Sequence, residues 1–120
     1  MLTQVDTQLL DPATIEGLRA LGGDDDPDFL SDIIADYVAD AAGRIADIRR
    51  YLTSKETGKA SAAAHALKGA SFNVGAYQLG DLAKRVEAKC AADDLTEIDS
   101  LVADMEKVFR RTSNAILLLR

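Results

Sequence analysis

The chain contains one histidine, His65, and its neighbours at helical spacing are Ser61, Lys68, Gly69 and Phe72. A neutral imidazole is a competent nucleophile, because a free histidine side chain gives up its proton at about pH 6.5. It can attack phosphorus and hold the group as a phosphoramidate. Lys68, three residues on, can place an ammonium on the phosphoryl oxygens as a point charge; its ordinary alternative is a solvated lysine. Gly69 stands in an alanine-rich stretch, where glycine costs a helix about 0.5–1 kcal/mol relative to alanine. Its missing side chain leaves the imidazole open on the C-terminal side. Phe72 is a large apolar group on the same face, which suits a surface that a partner covers, unless it folds back under the next helix. No GxxxxGK loop and no kinase signature set occurs in the chain. The phosphoryl group is therefore expected to arrive on a protein partner that supplies any Mg²⁺ and most of the positioning. No cofactor of the chain's own is expected.

These side chains must be presented by a helix, and the residues around His65 read as one over Lys59–Val74. With Leu67 as the reference direction, Ala60, Ala63, Ala64, Ala70, Ser71 and Val74 fall within about 60° of it and His65 lies about 160° away. Gly75 ends the helix. Before it, Asp11-Pro12 reads as an N-cap and first-turn proline, and Ile15, Leu18 and Leu21 mark a short helix closed by Gly22. With Asp26 as cap and Pro27 in its first turn, a long helix carries Leu30, Ile34, Val38, Ala41, Ile45, Ile48 and Leu52 and ends near Thr53. Leu79, Leu82, Ala83, Val86 and Cys90 mark a fourth helix. A capping box at Asp94-Leu95-Thr96-Glu97 opens a fifth, with Leu95, Ile98, Val102, Met105 and Phe109 on its apolar face. No segment alternates with period two. The expected fold is all-α: an up-down-up-down antiparallel four-helix bundle with a short additional N-terminal helix, one domain over 1–120 with its core at about 11–112.

Composition narrows the function classes. The 120 residues hold 14 Lys and Arg against 20 Asp and Glu, a net charge of −6, which argues against nucleic-acid binding through phosphate neutralisation. The single cysteine excludes an internal disulfide and any multi-cysteine zinc site, and Cys90 reads as a small core residue. The Asp24–Asp26 run lacks the alternate-residue spacing of a calcium loop, and a di-metal carboxylate bundle lacks its second histidine. No signal peptide is visible, and the apolar run Ile116–Leu119 is too short to span a bilayer, so a cytoplasmic protein without a membrane partner is expected. That run cannot all face one side of a helix. Some of it is left over for packing on the first helix or for self-association, although a monomer is expected.

The motif His65-Ala66-Leu67-Lys68-Gly69-Ala70-Ser71, with the Val74-Gly75-Ala76 turn and the Leu79, Leu82, Ala83 helix after it, resembles the signature of histidine-containing phosphotransfer (HPt) domains. The resemblance runs from about Asp11 to Phe109. It implies a phosphorelay intermediate without an ATP site, not an enzyme in the ordinary sense. His65 would accept the phosphoryl group from a receiver-domain aspartate and pass it to another, Lys68 would stabilise that group, and Gly69 would permit access. Its partners would be response-regulator receiver domains or a hybrid sensor histidine kinase, and the chain itself would be a stand-alone protein or a domain of such a kinase. The sequence departs from the family at two places on the fourth helix. Glu87 stands where a hydrogen-bonding Gln can lie near the histidine, and Ala91 where a basic residue is frequent, with Lys89 nearby. Ser61, Gly69, Phe72 and Glu87 form the expected docking surface. A binding-only module that docks a receiver or another partner through the Phe72 face is the alternative function.

Overall fold

The computed structural model describes residues 5–120, and helix starts and stops in it follow local chemistry. Asp11 caps α1 (Pro12–Gly22) by accepting a hydrogen bond from the Ala13 amide, with Pro12 in the first turn. The cap at the other end is Gly23, at φ 54°, and not Gly22. Gly22 has a different duty: a Cβ there would lie 2.5 Å from the Phe29 Cβ, so its bare backbone lets the next helix begin close by. That helix, α2 (Phe29–Thr53), starts two residues later than Pro27 suggests, with Asp28 at its N-cap and no side-chain cap. It is followed by α3 (Thr57–Asn73), α4 (Tyr77–Ala91) and α5 (Ile98–Leu117).

Among the described residues there is no strand. Each of α2 to α5 packs on its neighbour in sequence, α5 returns to α2, and α1 lies on α2. The turns between α2, α3, α4 and α5 are short, and contacts across α3 and α4 run in opposite chain directions, which gives the antiparallel four-helix bundle with an extra N-terminal helix. The capping box ahead of α5 does not form. Asp94 instead accepts from the Thr96 amide, and the N-cap residue, Glu97, is left-handed at φ 58° with no side-chain hydrogen bond.

The core is aliphatic and rich in alanine. Ile34, Ile48, Leu67, Leu79, Val86, Val102 and Met105 are fully buried, together with Ala41, Ala60, Ala64 and Ala83. Small residues on α3 let its backbone approach α2 and α4 closely. Cys90 is buried among these groups, and burial pushes its thiol above the usual value. The core also extends past 11–112: Leu9, Leu10, Ile116 and Leu119 are buried in it. Residues 5–10 do not hang loose, because the Tyr77 hydroxyl donates to the Thr7 carbonyl and the Asp11 amide to Gly75. Among the described residues the large apolar side chains left exposed are Leu21, Leu118 and, less so, Phe72, so the short helix buries Ile15 and not Leu21.

Candidate functional site

The end of α3 is shaped by Gly75. Its φ of 83° is left-handed, and the Gly75 and Ala76 amides bond back to the Phe72 and Ser71 carbonyls, closing the helix in a Schellman turn. A Cβ at Gly75 would lie 3.0 Å from Thr14 Cβ and 3.1 Å from the Asp11 carbonyl, so the same glycine lets the start of α1 dock on this turn. The reversal sends α4 back along α3. Ser61, His65, Lys68 and Phe72 then face a matching stripe of α4.

The meeting points run along that seam. Phe72 lies against Gly80, where a Cβ would come within 2.9 Å of the ring. His65 Nδ1 is 2.6 Å from Glu87 Oε2, and Lys68 Nζ donates to Glu87 Oε1 at 2.7 Å. The Ser61 hydroxyl donates to the Glu87 backbone carbonyl at 3.1 Å. The imidazole is 67% exposed, whereas Lys68 and Glu87 are largely covered at 26% and 22%. The Lys68 hydrogen bond, with smaller help from His65 and against the effect of burial, holds the Glu87 carboxyl below the usual carboxylate range.

An ionised carboxylate only accepts hydrogen bonds, so the hydrogen of a neutral imidazole must be on Nδ1, and the lone pair is on Nε2. The exposed edge of the ring is therefore its nucleophilic edge. Nothing lies within 4 Å of a Cβ placed on Gly69. Gly17, Gly43 and Gly58 are equally open, so what distinguishes Gly69 is its place one turn from His65.

The structure refines three of the sequence expectations. Ser61 is half-buried and its hydroxyl ties α3 to α4, so it offers no free donor to a docking partner. Phe72 does both things open to it: one face of the ring covers Gly80, yet the side chain remains 41% exposed. Glu87 is the hub of the cluster, bonded at once to His65 and Lys68. Lys89, near the position of Ala91, points elsewhere and pairs with Asp94 at 3.4 Å. Two participants had escaped the sequence reading, Gly80 under Phe72 and Tyr37, whose hydroxyl meets Ser71 Oγ at 2.8 Å in the core. Gly80 could have been noticed as a glycine inside a helix; Tyr37 gives no such signal.

Residues 32–115, from the first turn of α2 to near the end of α5, match the sequence model of the Hpt domain. The chain belongs to the Hpt domain family. This Hpt domain is 30% identical over 82 residues to Multistep phosphorelay regulator 1 of Schizosaccharomyces pombe (strain 972 / ATCC 24843), an alignment covering 68% of the chain. It spans only 28% of that protein's length. Its fold is similar to the crystal structure of histidine-containing phosphotransfer protein B from Pseudomonas aeruginosa PAO1, with TM-score 0.82, 22% identity, and 89% and 90% of the two chains covered. A solved rice protein gives TM-score 0.81 at 24% identity, covering 94% of this Hpt domain and 84% of the rice chain. Among the described residues no helix is long and apolar enough to cross a membrane.

Proposed function

We propose that this Hpt domain is a phosphorelay intermediate that takes a phosphoryl group onto His65 Nε2 from a receiver-domain aspartate and gives it to another. The observation that carries this reading is the exposed imidazole whose inner nitrogen is held by a carboxylate that also holds a lysine. In the forward step the Nε2 lone pair attacks phosphorus and the Nε2–P bond forms. The P–O bond to the aspartyl carboxyl breaks, and its electron pair leaves with that carboxylate. The ring keeps its proton on Nδ1 and becomes cationic, and Glu87 stabilises that charge. Lys68 turns from Glu87 to the phosphoryl oxygens. The return step reverses each of these movements.

The chain supplies nucleophile, tautomer and charge, and no cofactor or metal of its own. Any Mg²⁺ belongs to the partner, a response-regulator receiver or the receiver of a hybrid sensor kinase. The domain acts as a monomer in the cytoplasm, where its lone buried thiol stays reduced. A half-exposed Phe72 also favours a second reading, a module that docks a partner without chemistry.

Incubation with a phosphorylated receiver domain, followed by measurement of acid-labile, base-stable phosphate, separates the two. Wild type should take up label at His65, and His65→Gln none while still binding the receiver. No uptake by wild type, or equal uptake by His65→Gln, refutes the relay.

A further inference from the structure

Phosphorylation would leave Lys68 with two anions to serve. In the unmodified site it is committed to Glu87 at 2.7 Å. A phosphoryl group adds about two negative charges beside that carboxylate. Lys68 and the cationic ring together fall one charge short of neutralising both.

Among the described residues, one unpaired cation borders the same seam. Along α4, residues 80, 84 and 87 recur at three- and four-residue spacing and so share a face. Gly80 lies under Phe72, and Glu87 meets His65 and Lys68. Lys84 is thus set between these two meeting points, at the level of Lys68 across the groove. It is exposed, and among the described residues it pairs with no carboxylate, Asp81 one turn before it included. Lys89 is about 200° around α4 from Glu87 and is engaged with Asp94, so it cannot take this role.

Resting on the relay reading above, we propose that Lys84 is the second cation of the phosphorylated site, sharing the phosphoryl oxygens and the Glu87 carboxylate with Lys68. Three cationic groups then face three negative charges. Its flexible stem lets it move between the two anions as the phosphoryl group comes and goes. Because Lys84 is exposed and makes no side-chain bond among the described residues, its removal should leave the fold alone.

The test uses the full chain and phosphoramidate, a small donor that needs no receiver; its P–N bond breaks, ammonia leaves, and the P–Nε2 bond forms. Initial rates of His65 labelling are measured against donor concentration for wild type, Lys84→Met, Lys84→Arg and Lys89→Met. Lys84→Met should weaken the donor dependence by about two- to fivefold, the effect of an exposed ion pair, with the melting temperature unchanged. Lys84→Arg should restore it, Lys89→Met should match wild type, and the defect should shrink at high salt. Lys84→Met labelling like wild type overturns the Lys84 assignment and leaves the relay standing. Wild type refusing label from both phosphoramidate and a phosphorylated receiver overturns both.

Discussion

Glu87 accepts from two donors at once, and this constrains what His65 can do. Its Oε2 holds Nδ1 of the ring and its Oε1 holds Lys68. A histidine in water favours the tautomer with its proton on Nε2, which would put the lone pair on the inner nitrogen and spoil attack from outside. The carboxylate reverses that preference. Replacing Glu87 by Ala should therefore shift the ring toward the Nε2–H tautomer, read from ring-nitrogen chemical shifts by NMR, and slow phosphate uptake more than it alters stability. A ring still wholly Nδ1–H in Glu87→Ala would show that Glu87 does not set the tautomer.

At the level of helices, α3 is closely packed on one side and open on the other. Ala60, Ala63 and Ala64 bury its inner side against neighbours that come close because these residues are small. On the outer side Gly69 replaces the alanine that helix propensity prefers, and no atom of the chain occupies the space a Cβ would take. Gly69→Ala should accordingly raise stability by about 0.5–1 kcal/mol in urea unfolding, since it removes the propensity penalty without a clash. The same variant should slow transfer from a phosphorylated receiver and leave phosphoramidate labelling less affected, because a receiver must close over the ring. Unchanged transfer from the receiver would mean that Gly69 does not serve access. Helix ends show a related economy. Lys55, Gly75 and Asp93 are all left-handed residues just past a helix, each followed by an amide that bonds back into the last turn. Only Gly75 is a glycine, and only there do Thr14 and Asp11 crowd the space.

Across the whole molecule, 47 Å long and 24 by 17 Å in section, the Tyr37–Ser71 hydrogen bond joins α2 to α3 within the aliphatic core. Burial, only partly offset by the Ser71 hydrogen bond, pushes the Tyr37 hydroxyl up to about 12 from 10.0. A raised pKa means the folded state keeps its proton where the unfolded chain has lost it. The stability from this group is thus complete below pH 10 and is lost as the pH rises toward about 12. Urea unfolding of wild type and Tyr37→Phe from neutral pH into this alkaline range should show wild type ahead by about 1 kcal/mol at neutral pH, where Phe leaves the Ser71 hydroxyl unpaired. The advantage should shrink as the pH rises through the tyrosine range. A constant gap would contradict a buried, protonated Tyr37. The ends of the chain belong to this scale as well. Leu9 and Leu10 close the core from one terminus and Ile116 and Leu119 from the other, while Leu118 stays in water.

Much of this molecule was legible from short-range pattern. Apolar residues three and four apart specify five helices, Asp11-Pro12 and Gly75 mark a start and a stop, and the outward placement of His65 follows from 100° per residue. All of these depend on neighbours within a turn or two, where geometry is set by the backbone itself. The capping box at Asp94–Glu97 was misread because Asp94 has a competing local partner in the Thr96 amide, and motif spacing does not rank two such options. The late start of α2 reflects Phe29 seeking the bare backbone of Gly22, a packing preference invisible in a cap signal. The role of Glu87 lay further from reach. It is 22 residues from His65 and 19 from Lys68, and they meet only because α3 and α4 align in one register. A shift of one residue would rotate the carboxylate by about 100° out of the groove. That register is held by Phe72 on Gly80, Ser61 on the Glu87 carbonyl and the tight reversal at Gly75. Local sequence decides which residues can be reactive; the packing of two helices decides which nitrogen faces the carboxylate and which faces outward.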